Sequence, residues 1–207
     1  MDNEILYYAG FGVGIFYLLG DIVGGVITPN YNYIKNAVSE LIQSGAENRV
    51  VLSLFLFVHA LMIILFSAGI LINPSKQSTL VFIGGILLLV VGISHALSSS
   101  IFPMDPVGAQ NTLPGVVHLV LVGITVVAIL ILMPVLGLGF YQLYGWYSFL
   151  VFTLLCLGVI AISGVSSPVV IARGIEVMGL TERITAYTFY LWLFILSYLL
   201  ICGQSAL

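Results

Sequence analysis

"VLSLFLFVHALMIILFSAGILI", residues 51–72, decides what kind of protein this is. The run carries no charged side chain and is continuously apolar apart from His59, Ser53 and Ser67. A helix needs about 20 mostly apolar residues to cross the hydrocarbon of a bilayer. An alternating pattern would suit a half-buried strand, and none is present. A strand with an open edge in lipid would also leave backbone groups unpaired, so the run is read as a spanning helix. Working outward, five more runs qualify, at about 5–27, 79–100, 115–136, 144–165 and 185–203. The breaks fall at "TPNYN", "NPSKQS", "FPMDPVGAQNTLPG", "GLGFYQLYGW" and "SSPVVIARGIEVMGLTERIT".

Composition agrees. Of 207 residues, 61% are hydrophobic and 6% charged, and the mean hydropathy is +1.22. A soluble domain of this size cannot bury so much apolar surface, so lipid is the expected solvent and partner. No basic face suited to nucleic acid is present, and the sequence names no protein partner. "MDNEILYY" begins with two acids and lacks the basic start and small-residue cleavage site of a secretory signal, so the first run is expected to persist as a span. Cys156 and Cys202 lie in apolar runs, which argues against a disulfide framework. The expected fold is all-α: residues 1–207 as one polytopic membrane domain, a six-helix antiparallel bundle with short interfacial helices on one face. Tyr7, Tyr8, Tyr141, Tyr144 and Trp146 are expected to form an aromatic belt on the side of the termini.

Six spans place both termini on one side of the membrane. The longer connectors then share the opposite side, and the polar groups follow them. Asp21, Lys35, Glu40, Glu47, Arg49, Asp105, Arg173, Glu176, Glu182 and Arg183 fall there, against Asp2, Glu4 and Lys76 on the terminal side. His59, His95 and His118 lie in the same half of the bilayer, His59 roughly 12 Å below the face. Ionisable groups at membrane depth usually line a bundle interior or a wet cavity, although a histidine can also simply bond a neighbouring helix. Three histidines suit a transition metal, but no pair lies at i, i+3 or i, i+4 on one helix. No cofactor is expected, and a transition metal on His59, His95 and His118 is the alternative. A bis-histidine haem lacks two histidines at matched depth on facing helices.

The stretch "NYNYIKNAVSELIQSG", residues 30–45, is unusually polar for this chain. Ile34, Val38, Leu41 and Ile42 fall on one helical stripe, which predicts a short amphipathic helix over 33–43 lying at the interface and ended by Gly45. A second interfacial lid is expected over 167–184.

These segments resemble those of the domain of unknown function 998 family of six-helix membrane proteins. "NYNYIKNAVSELIQSGAENR" is similar to its first-loop signature, "SIFPMDPVGAQNTLPGVVH" to its F-P-x-D-P segment with a following His, and "GLTERI" to its G-L-x-x-R segment. The matches run in order along nearly the whole chain. More distantly, the pattern is similar to the DRAM-like and Frag-like membrane families. The resemblance implies the fold and maps the family's polar positions onto Ser39, Glu40, Pro103, Asp105, Pro106, His118, Gly179, Leu180 and Arg183. His59 and His95 match no polar position of that pattern.

Ser39, Glu40, Asp105 and His118 are therefore the candidate catalytic residues, and Asn36, Ser39, Glu40, Asp105, His118, Glu182 and Arg183 the candidate binding residues. The four candidate catalytic residues are expected to converge, with Arg183 pairing one of the acids, Glu40 or Asp105. Such a pocket suits a lipid-handling protein that binds or remodels lipid at one membrane face, with His118 as acid or base. The alternative is a non-enzymatic carrier, sensor or assembly partner with a structural polar cap. A metal-dependent membrane hydrolase using the three histidines is a further one. Counting Lys and Arg places the polar face in the cytoplasm, whereas the family resemblance implies cytoplasmic termini and an extracytoplasmic polar face, which is the orientation expected here for a multi-pass cell-membrane protein.

Overall fold

The computed structural model of the chain describes residues 3–172 and 174–203. A 3-10 turn over Asn3–Tyr8 leads into α1 (Ala9–Ile27), followed by α2 (Arg49–Ile72), α3 (Thr79–Ser100), α4 (Leu113–Tyr144), α5 (Tyr147–Ala172) and α6 (Met178–Cys202). Six helical stretches are long and apolar enough to cross a membrane. Each helix packs on the next in sequence, and α6 closes back on α1, so the bundle is a ring. Outward side chains such as Leu155, Ile162 and Leu191 are large, apolar and exposed, as lipid-facing positions require.

Polar pins join the helices inside. Trp192 Nε1 of α6 donates to Thr153 Oγ1 of α5 at 2.8 Å, and Ser197 Oγ donates to the Tyr7 carbonyl at 2.6 Å, tying α6 to the start of the chain. Tyr7 is thus wholly buried and does not join the belt expected of it, whereas Tyr8 and Tyr141 are exposed. The Tyr144 and Trp146 rings form a tilted pair at 4.8 Å, and each stacks on Phe140.

Three expected boundaries move. The fourth helix does not end at 136 but runs on through most of "GLGFYQLYGW" to Tyr144, and the break falls at Gly145, whose φ of 71° is left-handed. Gly137 and Gly139 there are packing positions: a Cβ would meet Thr153 at 3.0 Å and Val81 at 2.9 Å, respectively. The sixth helix begins at Met178 and not 185, and α5 continues to Ala172. The second lid therefore shrinks to a short connector, and Arg173 lies outside the described residues. The third change is the segment 33–43, which is no amphipathic α-helix. It is a turn followed by a 3-10 helix, Val38–Ile42. Asn32 Oδ1 accepts from the amides of Ile34 (2.9 Å) and Lys35 (3.2 Å), and Glu40 Oε1 accepts from the Ala37 amide at 2.8 Å. Side chains that capture backbone amides in this way compete with helical bonding. Val38, Leu41 and Ile42 are nevertheless buried, as the stripe requires, while Ile34 stays exposed. Gly45 sits in the following turn with φ 82°.

Candidate functional site

The polar face is organised by Asp21 and Arg183. Asp21 occupies α1 about 9 Å below its end, six residues before Ile27, and Arg183 lies in the second turn of α6. Arg183 Nε donates to Asp21 Oδ2 at 2.9 Å and Nη2 donates to Oδ1 at 2.7 Å. The planar guanidinium fork matches a carboxylate in just this way. Both side chains are almost fully buried, at 8% and 1% exposure. The Tyr187 hydroxyl donates to the same Asp21 Oδ2.

The other arginine donors are occupied as well. Nη1 donates to the carbonyls of Tyr33 (2.6 Å), Asn36 (3.0 Å) and Gly179 (3.0 Å), and Nη2 to the Tyr31 hydroxyl (2.6 Å). Tyr31 in turn donates to the carbonyls of Asn36 and Ala37, at 3.1 and 2.9 Å. The guanidinium carbon stands 5.0 Å from the centre of the Tyr33 ring and 5.6 Å from that of Tyr31, within cation–π range. Burial raises the Tyr31 hydroxyl above its ordinary pKa, an effect that the hydrogen bond and charge of Arg183 only partly offset. Tyr31 therefore stays a neutral donor.

Local sequence explains how α6 arrives there. Gly179 N donates to the Lys35 carbonyl and Leu180 N to the Ile34 carbonyl, at 3.3 and 3.0 Å. The first turn of α6 thus hands amides that have no helical partner to the first loop. A Cβ on residue 179 would lie 2.2 Å from the Asn36 carbonyl oxygen and 2.6 Å from that of Tyr33. Glycine permits the approach, and one turn later Arg183 reaches the same carbonyls. The G-L-x-x-R segment is a docking device. Beside it, Glu182 Oε2 accepts from the Val38 amide at 2.8 Å, and Lys35 pairs with Glu176 at the exposed rim.

The remaining candidates are held by their own neighbourhoods. Glu40 caps the turn before it, taking Asn36 Nδ2 at 2.9 Å in addition to the Ala37 amide. Ser39 is partly buried on the same 3-10 turn. Asp105 caps α4: the Thr112 amide and hydroxyl both donate to its carboxylate at 2.7 Å. Thr112 Oγ1 then accepts from Gly115 N at 3.3 Å, and a Cβ on Gly115 would fall 1.9 Å from Asp105 Oδ2. His118 is buried, and its Nδ1 faces the carbonyls of Phe102 (2.8 Å) and Ser98 (3.3 Å). A carbonyl only accepts, so Nδ1 carries the proton. One backbone bond, Ser44 N to the Met104 carbonyl at 2.8 Å, staples the first loop to the Asp105 loop.

Ser39, Glu40, Asp105 and His118 thus lie along one stapled face, but among the described residues none bonds another. Arg183 takes neither Glu40 nor Asp105. Its partner is Asp21, because the ring closure of α6 on α1 brings these two together inside the bundle. Asp21, Tyr31, Tyr33 and Tyr187 were missing from the sequence-derived set. Asp21 did carry a signal, as the one acid inside an expected span.

Deeper in the same half, His59 Nδ1 faces the Val13 carbonyl at 2.9 Å, and its ring packs at 4.8 Å from Tyr190 and 5.2 Å from both Tyr17 and His95. Its Nε2 is buried and, among the described residues, has no hydrogen-bond partner. Among the described residues, no group of three or more His, Cys, Asp or Glu is placed to hold a metal ion.

A closed ring of six membrane-spanning helices, braced at one face by a buried ion pair, defines an integral membrane protein of the polytopic all-α class. The model of the family DUF998, described as a protein of unknown function, matches residues 11–199, and the chain belongs to that family. No curated protein and no solved structure matches it.

Proposed function

We propose that this is a non-enzymatic membrane protein, a carrier, sensor or assembly partner, whose polar face is a structural cap. One observation carries the reading: Asp21, Glu40, Asp105, Glu182 and Arg183 are directed at the protein's own backbone and at neighbouring side chains of the cap. Arg183 uses all of its N–H groups within the cap, while Glu40 and Asp105 cap local turns. A catalytic acid or base must instead present a lone pair or proton to a substrate within about 2.6–3.2 Å. The lipid-handling reading, with a headgroup held among Ser39, Glu40, Asp105 and His118, would need those bonds to open. A hydrolase using His59, His95 and His118 would need the three rings to close on one ion, and among the described residues no group of three is placed to hold one.

Thermal unfolding of Glu40→Gln, Asp105→Asn and His118→Gln in detergent tests this without knowledge of a ligand. A structural cap predicts lowered melting temperatures for all three. Catalytic groups are commonly held at a cost to stability, so unchanged or raised melting temperatures would favour an active site.

The proposal extends to orientation, with cytoplasmic termini and an extracytoplasmic cap. Its support is that Lys35 and Arg183, two of the four cations counted on the cap side, are paired with Glu176 and Asp21. A cysteine placed at Ala109, in an exposed part of the cap-side connector, should react with an impermeant thiol reagent on intact cells. Reaction only after permeabilisation would reverse the orientation.

A further inference from the structure

Away from the ion-pair cap, a groove of about 660 Å³ opens between the start of α2 and the end of α3. Three polar side chains reach it: Arg49, Ser53 and Ser100. Among the described residues Arg49 is the one cap-side cation without an acid partner, since Lys35 pairs with Glu176 and Arg183 with Asp21. Ser53 lies one turn further along α2, and its Oγ is buried with no hydrogen-bond partner among the described residues. A buried hydroxyl left unsatisfied is costly and gains from a ligand that bonds it. The rest of the wall is apolar and outward-facing. Val50, Leu54 and Phe57 are 83%, 62% and 44% exposed, and they descend α2 from the face into the hydrocarbon over roughly 10 Å.

We propose that this groove binds the phosphate of an anionic phospholipid, with Arg49 and the Ser53 and Ser100 hydroxyls on the phosphate and an acyl chain along Val50, Leu54 and Phe57. The chemistry is complementary at each level. A guanidinium fork suits phosphate oxygens, and the groove sits at the first turn of a long helix, whose dipole favours an anion. A free phosphate would satisfy Arg49 and Ser53 but would leave the apolar strip beneath them unused. The amphipathic shape of the groove, a cation above an exposed apolar wall at a membrane face, selects the lipid. This site shares no residue with the cap and holds whether or not the cap is structural.

Native mass spectrometry of the full chain released from detergent tests it, with phosphatidylglycerol, phosphatidylcholine of the same chains, and inorganic phosphate as probes. Phosphatidylglycerol should bind in preference to phosphatidylcholine, and excess inorganic phosphate should not displace it. Arg49→Gln should weaken that binding about tenfold and Ser53→Ala about threefold. Lys76→Gln, on the other face, should leave it unchanged. Ser53→Ala is benign to a helix, so it keeps the test decisive even if Arg49→Gln unfolds. Equal binding of both lipids, displacement by phosphate, wild-type binding in Ser53→Ala, or an equal loss in Lys76→Gln would each overturn the assignment.

Discussion

Arg183 on the last helix grips Asp21 on the first through two hydrogen bonds of 2.7 and 2.9 Å, across 162 positions of sequence. The pair closes the helical ring at the polar face and holds the first loop against α6 through the Tyr33 and Asn36 carbonyls. Removing one member of such a pair leaves the other charge buried and alone, which costs about 3–5 kcal/mol. Asp21→Asn and Arg183→Gln should each lower the melting temperature strongly. The double variant Asp21→Leu with Arg183→Met should recover most of the loss, because an apolar replacement of a buried pair is often neutral or better. If the double variant is as unstable as the sum of the singles, the pair is not the unit that we describe.

Gly179 provides a test of docking. The Cβ of Gly179→Ala would press on two backbone carbonyls that cannot swing aside, and overpacking of this kind costs about 1–3 kcal/mol. Gly158, on α5, has open space around its own Cβ position. Gly158→Ala should therefore be neutral or stabilise by up to about 1 kcal/mol, the helix propensity difference. Unfolding curves of the two variants should move in opposite directions.

At α4 the Asp105 carboxylate works through Thr112. Asp105→Ala should destabilise by about 1 kcal/mol, the usual worth of a helix-capping interaction. Amide hydrogen exchange should localise the effect, with faster exchange at residues 112–116 and little change in α1 or α6. Uniform acceleration along the chain would contradict a local cap.

The Lys35–Glu176 pair sets a pH dependence. The hydrogen bond and charge of Lys35 hold the Glu176 carboxyl below the usual carboxylate range. A carboxyl depressed on folding contributes stability that is present above its unfolded pKa and is lost as pH falls through the folded value. The effect on unfolding is small because both side chains are exposed. It is better read directly, by carbon NMR of the Glu176 carboxyl during titration. Lys35→Gln should move the midpoint upward, toward the ordinary value, and an unmoved midpoint would refute the pairing in solution.

The six spans and the family could be read from the chain alone, because the length of apolar sequence needed to cross a bilayer is a local property. The run 51–72 needed no knowledge of its neighbours, and the ordered segments at 30–49, 100–118 and 179–184 signalled the family without coordinates. The same holds for the burial of Val38, Leu41 and Ile42, which their spacing anticipates. What only the tertiary structure decided was which polar groups meet. Asp21 stands out in sequence as the one acid inside an expected span, but nothing there says which cation it meets, and Glu40 and Asp105 read as equal suitors for Arg183. The choice of Asp21 depends on how α1 and α6 are rotated when the ring closes, a property of the whole bundle. The 33–43 segment makes the same point at shorter range. Its apolar stripe fits an α-helix, yet Asn32 and Glu40 turn their side chains onto nearby amides, and Gly179 lets the start of α6 occupy the carbonyls at 34 and 35. Hydrophobic length is additive along a chain, so sequence suffices for the spans. Hydrogen-bond pairing is a competition among donors and acceptors brought together from distant positions, and only the folded arrangement decides who wins.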